Sequence, residues 1–142
     1  MHTIHQILHH KGGDILWVAP ESTVFDAIHK MAEKGVGALL VMREGKPVGM
    51  VSERDYARKV ILEGRSSRDT RVQDIMSDSL ITIDGRATAD AGLALMTKHH
   101  IRHLPVVDDN DLIGMVSIGD LVNAVIDDQQ QLIEQLERYV TG

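Results

Sequence analysis

The chain has 142 residues, of which 43% are hydrophobic and 25% are charged, and its formal net charge is −6. It is long enough to bury a core, no stretch approaches the roughly 20 apolar residues of a membrane span, and the negative charge opposes nonspecific binding to nucleic acid or anionic lipid. The lack of cysteine excludes thiolate chemistry and, since the N-terminus carries no secretory signal, favours a cytoplasmic location.

The predicted elements of the first half are strand, helix, strand, strand and helix. An apolar run at 15–18 predicts a short strand, and Thr23 is placed to cap a helix whose apolar residues recur at i, i+3, i+4, i+7 and i+8. Two β-rich runs, at 38–42 and 47–52, are joined by the polar turn REGK, which indicates a hairpin. A second helix is predicted to start at SERD, residues 52–55.

The second half repeats this order of elements. Residues 15–61 align with residues 80–126 without a gap, and 11 of the 47 pairs are identical, against about three expected by chance. One unit of about 50 residues buries little of its surface alone. The sequence therefore predicts an α/β (α+β) fold of two pseudo-symmetric β-α-β-β-α repeats packed sheet to sheet, with residues 1–70 and 71–142 as the two repeats.

The last predicted helix continues beyond the second repeat. Residues 127–142 carry a narrow apolar stripe at helical spacing, which predicts an extended C-terminal helix. The stripe consists of Leu132, Ile133, Leu136 and Val140. It either packs back on the molecule or forms a dimer contact, and both interpretations stay open.

The serine and aspartate at each second helix start admit a structural and a functional interpretation. Ser52 with Asp55, like Ser117 with Asp120, has the spacing of a capping box, although aspartate is one methylene shorter than the preferred glutamate. The same helix start presents free amides to a phosphate, and its carboxylate can accept two hydrogen bonds from a ribose diol. The pattern therefore fits capping alone or a ribose-phosphate site.

The doubled arrangement resembles a tandem pair of cystathionine-beta-synthase (CBS) domains, also called a Bateman module. The resemblance covers about residues 11–126 and rests on the order of elements, the two GMVS strands leading into S-x-x-D, and HIRHLPVVD at 100–108. It implies binding of an adenosine-containing ligand (AMP, ADP, ATP, NAD or S-adenosylmethionine) in the cleft between the repeats. It further implies a stand-alone nucleotide or energy sensor that forms a homodimer, regulates an unidentified protein and is not an enzyme.

The resemblance also implies two sites, each combining the helix start of one repeat with residues of the other. One comprises Ser52, Arg54, Asp55 and Arg58 with Thr82, Ile101, Arg102 and His103. The other comprises Ser117, Ile118, Gly119 and Asp120 with Lys11, Val18, Val36, Gly37 and Ala38. Because the first set is rich in cationic donors, we expect the Asp55 site to hold pyrophosphate or polyphosphate and the Asp120 site to hold a less charged adenosine moiety.

Metal binding and catalysis are the weaker interpretations. His5 and His9, with His2 before them, can share a helix face, but no carboxylate or cysteine completes a metal-binding set nearby in the sequence. The sequence contains no phosphate-binding glycine loop, nucleophile elbow or dinucleotide fingerprint. We therefore expect no metal, no catalytic residue and no catalytic cofactor. The rival to a nucleotide sensor is a protein-interaction or structural dimerisation module whose cleft is vestigial.

Overall fold

The computed structural model describes residues 1–12 and 14–141 and divides into two compact units. We call Ile15–Leu80 the first-repeat unit, and Met1–Asp14 together with Ile81–Gly142 the second-repeat unit. These bounds differ from the sequence boundary at residues 70 and 71. The difference arises because the N-terminal segment packs with the second repeat, while residues 71–80 pack with the first.

The two units have the same topology. The helices are α1 (Ile4–Lys11), α2 (Val24–Lys34), α3 (Glu53–Tyr56), α4 (Ala89–His99) and α5 (Ile118–Thr141), and the strands are β1 (Trp17–Val18), β2 (Ala38–Arg43), β3 (Lys46–Ser52), β4 (Ile83–Asp84), β5 (His103–Asp108) and β6 (Asp111–Ser117). The sheets have the orders β1-β2-β3 and β4-β5-β6, each with one parallel and one antiparallel pairing. These features confirm the predicted mixed α/β fold, the two repeats and the long C-terminal helix.

The repeats share local details as well. The antiparallel register shifts at equivalent places, between Val41 and Met42 and between Val106 and Val107. The two threonine caps also form: the backbone N–H of the third helical residue donates to Thr23 Oγ1 at 3.1 Å in α2 and to Thr88 Oγ1 at 3.2 Å in α4. These caps satisfy amides that a helix start otherwise leaves unpaired.

Each unit is completed by a short segment that precedes the other repeat in sequence. Residues 1–14 complete the second-repeat unit and residues 71–80 complete the first-repeat unit, and we call these two the exchanged segments. The Ile4 backbone N–H donates to the Ala87 carbonyl at 2.9 Å, and the Val72 N–H donates to the Ser22 carbonyl at 2.8 Å. These two acceptors are equivalent residues of the repeats. The sequence alignment did not reveal this exchange of segments.

The exchanged segments also supply core side chains. The core of the second-repeat unit includes Ile4, Ile7 and Leu8 from α1, and that of the first-repeat unit includes Val72 and Ile75. The two segments match one another at a shift of 68 residues, since Ile4 corresponds to Val72 and Ile7 to Ile75. A gap-free alignment at 65 residues therefore leaves them unpaired.

The second helix of the first repeat is irregular. α3 spans four residues and is followed by a π-helical turn, Ala57–Ile61, in which the Leu62 N–H donates to the Ala57 carbonyl at 3.1 Å. Val60 of this turn is buried in the core. The equivalent segment of the second repeat continues as the regular helix α5. Among the described residues, none of the helices combines the length and the hydropathy needed to cross a membrane.

Candidate functional site

The serine and aspartate at each helix start form reciprocal capping bonds. The Ser52 N–H donates to Asp55 Oδ2 at 3.0 Å, and the Asp55 N–H donates to Ser52 Oγ at 3.1 Å. The corresponding distances for Ser117 and Asp120 are 2.8 and 3.2 Å. Aspartate therefore reaches the cap despite its shorter side chain. In both residues the backbone bond uses Oδ2, so Oδ1 lies outside the cap.

Lys11 joins the Asp120 helix start from α1. Its Nζ donates to Asp120 Oδ2 at 2.7 Å and to the Met115 carbonyl at 2.9 Å. Burial by itself raises the pKa of the Asp120 carboxyl, but the hydrogen bonds from Lys11 and Ser117 outweigh it, so the pKa lies below its usual value. The Asp120 side chain is 25% exposed. The structure thus brings together an ionised carboxylate, a lysine and a serine that the family resemblance assigns to one site.

His103 stands at the start of β5 in the same unit. Burial lowers the pKa of its imidazole, and the positive charge of Lys11 lowers it further, while Asp120 acts in the opposite direction. The ring is therefore neutral near pH 7 and carries one donor and one acceptor nitrogen. The carbonyl of Arg102 accepts a hydrogen bond from the Ile118 N–H at 2.8 Å, which fixes the loop before β5 against the start of α5.

The other predicted residues of the second-repeat unit are distributed around these elements. Arg102, Ile118, Gly119 and Thr82 are exposed, and Ile101 is half-buried. All of them belong to the same compact unit as Asp120. Their assignment to Asp55 or to Asp120 stays a prediction.

The first-repeat unit presents a more cationic helix start. Arg54 and Arg58 are exposed, and Lys59 Nζ lies 3.4 Å from Asp55 Oδ1 while donating to the Ile75 carbonyl at 2.9 Å. Lys59 was not predicted as a site residue, although its i, i+4 spacing from Asp55 was a usable signal. Lys59 contacts Asp55 in this unit as Lys11 contacts Asp120 in the other.

The loop before β2 lies against this helix start. The Glu53 N–H donates to the Gly37 carbonyl at 3.0 Å, the counterpart of the bond between Ile118 and Arg102. Val36 and Gly37 are half-buried, whereas Val18 and Ala38 are 7% and 1% exposed. The Val18 side chain is part of the hydrophobic core, so it presents little surface to a ligand.

Trp17 is a candidate that the sequence reasoning missed. It is 47% exposed, and Lys30 Nζ lies 6.0 Å from the centroid of its ring. A shift of 65 residues aligns Thr82 with Trp17 and aligns Val18 with Ile83, a core residue. Trp17, and not Val18, is therefore the residue of the first repeat that is equivalent to Thr82.

Two cavities lie within the second-repeat unit. The smaller, of about 350 Å³, adjoins the Lys11–Asp120 pair and is lined by His2, Ile7, His10, Lys11, Asp120, Asn123, Ala124 and Asp127. Its volume falls in the range typical of small-molecule sites. The larger, of about 630 Å³, lies beside α1 and is lined by Met1, His2, His5, Gln6, His9, His10, Asp128 and Gln131.

Two histidines of the N-terminal segment, His2 and His5, pair with carboxylates. His2 Nδ1 lies 2.6 Å from Asp128 Oδ1, and His5 Nε2 lies 2.6 Å from Asp108 Oδ2. The hydrogen bond from the His2 backbone N–H is the main cause that lowers the pKa of Asp128. Within residues 1–12 and 14–141, no cluster of three or more His, Asp or Glu side chains is arranged to hold a metal ion. These pairs attach the N-terminal segment to its unit.

Comparison with known proteins identifies the family. A family model of the CBS domain matches residues 7–62 and again residues 72–127. The chain belongs to the CBS domain family. This CBS-pair chain is 41% identical over 149 residues to the mitochondrial CBS domain-containing protein CBSX3 of Arabidopsis thaliana, covering 99% of this chain and 72% of the relative.

Solved CBS structures share its fold. A protein with CBS domains from Burkholderia ambifaria MC40-6 is 50% identical, with a TM-score of 0.87 over 90% of this chain and 96% of that one. The CBS domain pair of protein MJ0100, solved in complex with 5′-methylthioadenosine and S-adenosyl-L-methionine, is 22% identical, with a TM-score of 0.79 over 90% and 98% of the two chains. At that identity the second likeness concerns the fold alone.

Proposed function

We propose that this CBS-pair protein binds an adenosine-containing ligand and acts as a nucleotide sensor, not as an enzyme. The observation that carries the proposal is the ionised Asp120 carboxylate, held by Lys11 and Ser117 beside a cavity of about 350 Å³. A carboxylate so placed can accept both hydroxyls of a ribose. The adenosyl ligands bound to the CBS pair of MJ0100 support the same ligand class.

Lys11 has a specific part in this proposal. A ribose diol that donates to Asp120 competes with Lys11 for Oδ2, which accepts the Lys11 hydrogen bond at 2.7 Å. A lysine released from that carboxylate is a point charge available to a phosphate. The proposed ligands are therefore AMP, ADP, ATP or NAD, and S-adenosylmethionine is the alternative that lacks a phosphate.

We propose that the two repeats bind ligand groups with different numbers of phosphates. Arg54 and Arg58 are exposed beside Asp55, whereas Ile118 and Gly119 occupy the corresponding turn beside Asp120. Cationic donors bind phosphate oxygens strongly. We therefore assign a pyrophosphate or polyphosphate to the Asp55 helix start and the less charged adenosine moiety to the Asp120 helix start.

As a sensor, the protein transmits ligand binding to a partner. The ligand must bind one of two conformations more tightly, and a coupling of roughly 1 to 3 kcal/mol changes partner affinity about 5- to 150-fold. We propose that the chain forms a homodimer and regulates another protein in this way. The rival function is an interaction module that binds its partner without any nucleotide.

A thermal-shift panel of AMP, ADP, ATP, NAD, NADH and S-adenosylmethionine tests the proposal. A ligand at 100 times its Kd adds about 2.7 kcal/mol to the free energy of unfolding, which raises Tm by several degrees. Trp17 is the single tryptophan of the chain and provides a second readout by fluorescence. If no ligand of the panel raises Tm, the sensor function fails and the interaction module is favoured; turnover of a bound ligand would identify an enzyme.

Two aspartate variants assign the binding to each repeat. Asp120→Asn and Asp55→Asn keep the shape of the cap but remove the charge, and each is expected to weaken its own ligand roughly tenfold or more, since hydrogen bonds to charged groups contribute about 1.5–3 kcal/mol. Asp90→Asn, at an exposed position in the first turn of α4, is the matched control. Equal loss of one ligand in both variants would contradict separate ligand preferences.

A cytoplasmic location is part of the proposal and rests on the cysteine-free sequence. The relative CBSX3 is mitochondrial by name, so the two compartments are the alternatives to separate. Cell fractionation of the tagged full chain distinguishes them. Enrichment in an organelle would refute the cytoplasmic assignment.

A further inference from the structure

The C-terminal half of α5 makes few contacts with the rest of its unit. Leu121 and Ala124 are buried at the start of the helix, whereas every residue of 129–141 is exposed. An isolated helix shorter than about 12–15 residues is marginal in water, and most helices are stabilised by packing of an apolar face. This half of α5 therefore lacks the packing that normally stabilises a helix.

An apolar seam runs along the exposed side of α5. Its positions alternate in spacings of four and three residues, which is the heptad pattern of a coiled coil. The seam consists of Val122, Ile126, Gln129, Ile133, Leu136 and Val140. Every residue of the seam is exposed, the five apolar ones by 39% to 82%.

The composition of the seam favours two parallel strands. In heptad terms Ile126, Ile133 and Val140 are the a positions, and Val122, Gln129 and Leu136 are the d positions. β-branched residues at a, with leucine at the d position of the exposed end, favour two strands in parallel coiled coils. The side of the helix away from the seam carries only polar residues in its exposed half. These are Gln131, Glu134, Gln135, Arg138 and Thr141.

We propose that a second copy of this chain covers the seam, with the two α5 helices parallel and in register. Gln129 then faces Gln129 of the second copy, and their amides can donate to and accept from each other. Because Gln129 is the one polar residue of the seam, a shifted register would place its amide against an apolar side chain, which disfavours that register. Glu137 is the acidic residue at an e position of the exposed half and faces Leu132 of the second copy, so the pairing brings no like charges together.

The exposed area agrees with a second copy as occupant. Besides the seam, Ile118, Leu132 and Tyr139 are 40%, 56% and 88% exposed on the flank of the same helix. Together these side chains offer on the order of several hundred Å² of apolar surface, comparable to the ~800 Å² per partner of a stable interface. Monomers seldom expose a contiguous apolar patch of this size. The inference rests on the self-association proposed above and is independent of nucleotide binding.

Sedimentation of the full chain tests the interface. We expect the wild-type chain to be a dimer and Ile133→Lys to raise the dimer dissociation constant roughly tenfold or more, because it places a charge at the centre of the interface. Gln135→Lys, on the polar side, is the matched control and keeps the dimer. A wild-type monomer at about 100 μM, or an equally tight Ile133→Lys dimer, would overturn the proposal. Thermal shifts by nucleotide on Ile133→Lys report on the sensor function alone.

Single cysteines test the direction of the helices, since the chain has no cysteine of its own. In a parallel, in-register pair, Gln129→Cys and Leu136→Cys each place two thiols within reach of a disulfide. Both variants are expected to cross-link under mild oxidation, and Gln131→Cys, on the polar side, is expected to stay uncross-linked. Cross-linking of only one seam variant, or of Gln131→Cys as efficiently as the others, would overturn the parallel arrangement.

Discussion

Lys11 connects the first helix of the chain to the chemistry of its last repeat. It is 109 residues from Asp120 in sequence, yet its ammonium group donates to that carboxylate at 2.7 Å. The same positive charge lowers the pKa of His103. One side chain thus lowers the pKa of two groups in the second-repeat unit.

Replacing Lys11 is expected to raise two pKa values at once. In Lys11→Met the Asp120 carboxylate loses a donor that stabilises its charged form, and the His103 imidazolium loses a repelling charge, so both groups hold their protons to higher pH. An NMR titration of the two side chains measures both shifts. Lys59→Met, in the other unit, should move neither value; a fall in the pKa of His103 would contradict the assigned cause.

At this scale the sequence predicted the residue types and missed some of the geometry. The threonine caps and the proximity of Lys11 to Asp120 follow from the repeat and from the family resemblance. Spacing alone did not show that aspartate reaches the Ser52 N–H, because a difference of one methylene depends on the local backbone. The family resemblance selected Val18, whereas the shift of 65 residues pairs Thr82 with Trp17; in the structure Val18 is buried and Trp17 is 47% exposed.

Two glycines lie where the β-hairpins closely approach the exchanged segments. Gly49 in β3 and Gly114 in β6 are equivalent in the repeats. A Cβ at Gly49 would lie 2.6 Å from the carbonyl oxygen of Ser77, whereas a Cβ at Gly114 would lie 2.8 Å from a terminal methyl of Leu8. Backbone cannot rotate away from such a contact, but a leucine methyl can.

These contacts predict unequal effects of the same substitution. Gly49→Ala is expected to lower the free energy of unfolding by about 1–3 kcal/mol, the usual cost of overpacking. Gly114→Ala is expected to cost less, because Leu8 can change rotamer. Urea denaturation of the two variants measures the difference, and a larger loss for Gly114→Ala would refute this account of the two contacts.

At the level of elements, periodicity and turn residues predicted the hairpins, the capped helices and the long α5. The π-helical turn at Ala57–Ile61 was not predictable, because Val60 and Ile61 are identical to Val125 and Ile126, which lie in the regular helix α5. Ile4 and Val72 were not recognised as equivalents, because the loop between each segment and the following repeat differs by three residues. Local sequence therefore predicted where the helices and strands lie better than it predicted which repeat each exchanged segment packs against.

In the whole molecule, the exchange of segments separates position in sequence from position in the core. Ile7 precedes the first repeat but is buried in the core of the second-repeat unit, and Ile75 follows the first repeat and is buried in the core of the first-repeat unit. Truncation of either side chain should therefore destabilise the unit whose core contains it.

Hydrogen exchange tests this separation. Ile7→Ala and Ile75→Ala are each expected to cost about 2–5 kcal/mol. Ile7→Ala should lower amide protection in β5 and β6 but not in β2 and β3, and Ile75→Ala should do the reverse. His9→Ala, at an exposed position of α1, serves as the control. Loss of protection in β2 and β3 from Ile7→Ala would contradict the exchange.

The exchange also determines the order in which the chain can fold during its synthesis. Residues 72–76 leave the ribosome directly after the first repeat, so that repeat can close its core at once. Ile4, Ile7 and Leu8 are made before all of the strands they cover, and the last side chains of their core, Leu121 and Ala124, follow more than 100 residues later. At about 5–20 residues per second, α1 is synthesised roughly 6 to 23 seconds before its core can be completed. Its apolar side chains stay exposed during that time, and it is among the last elements to dock.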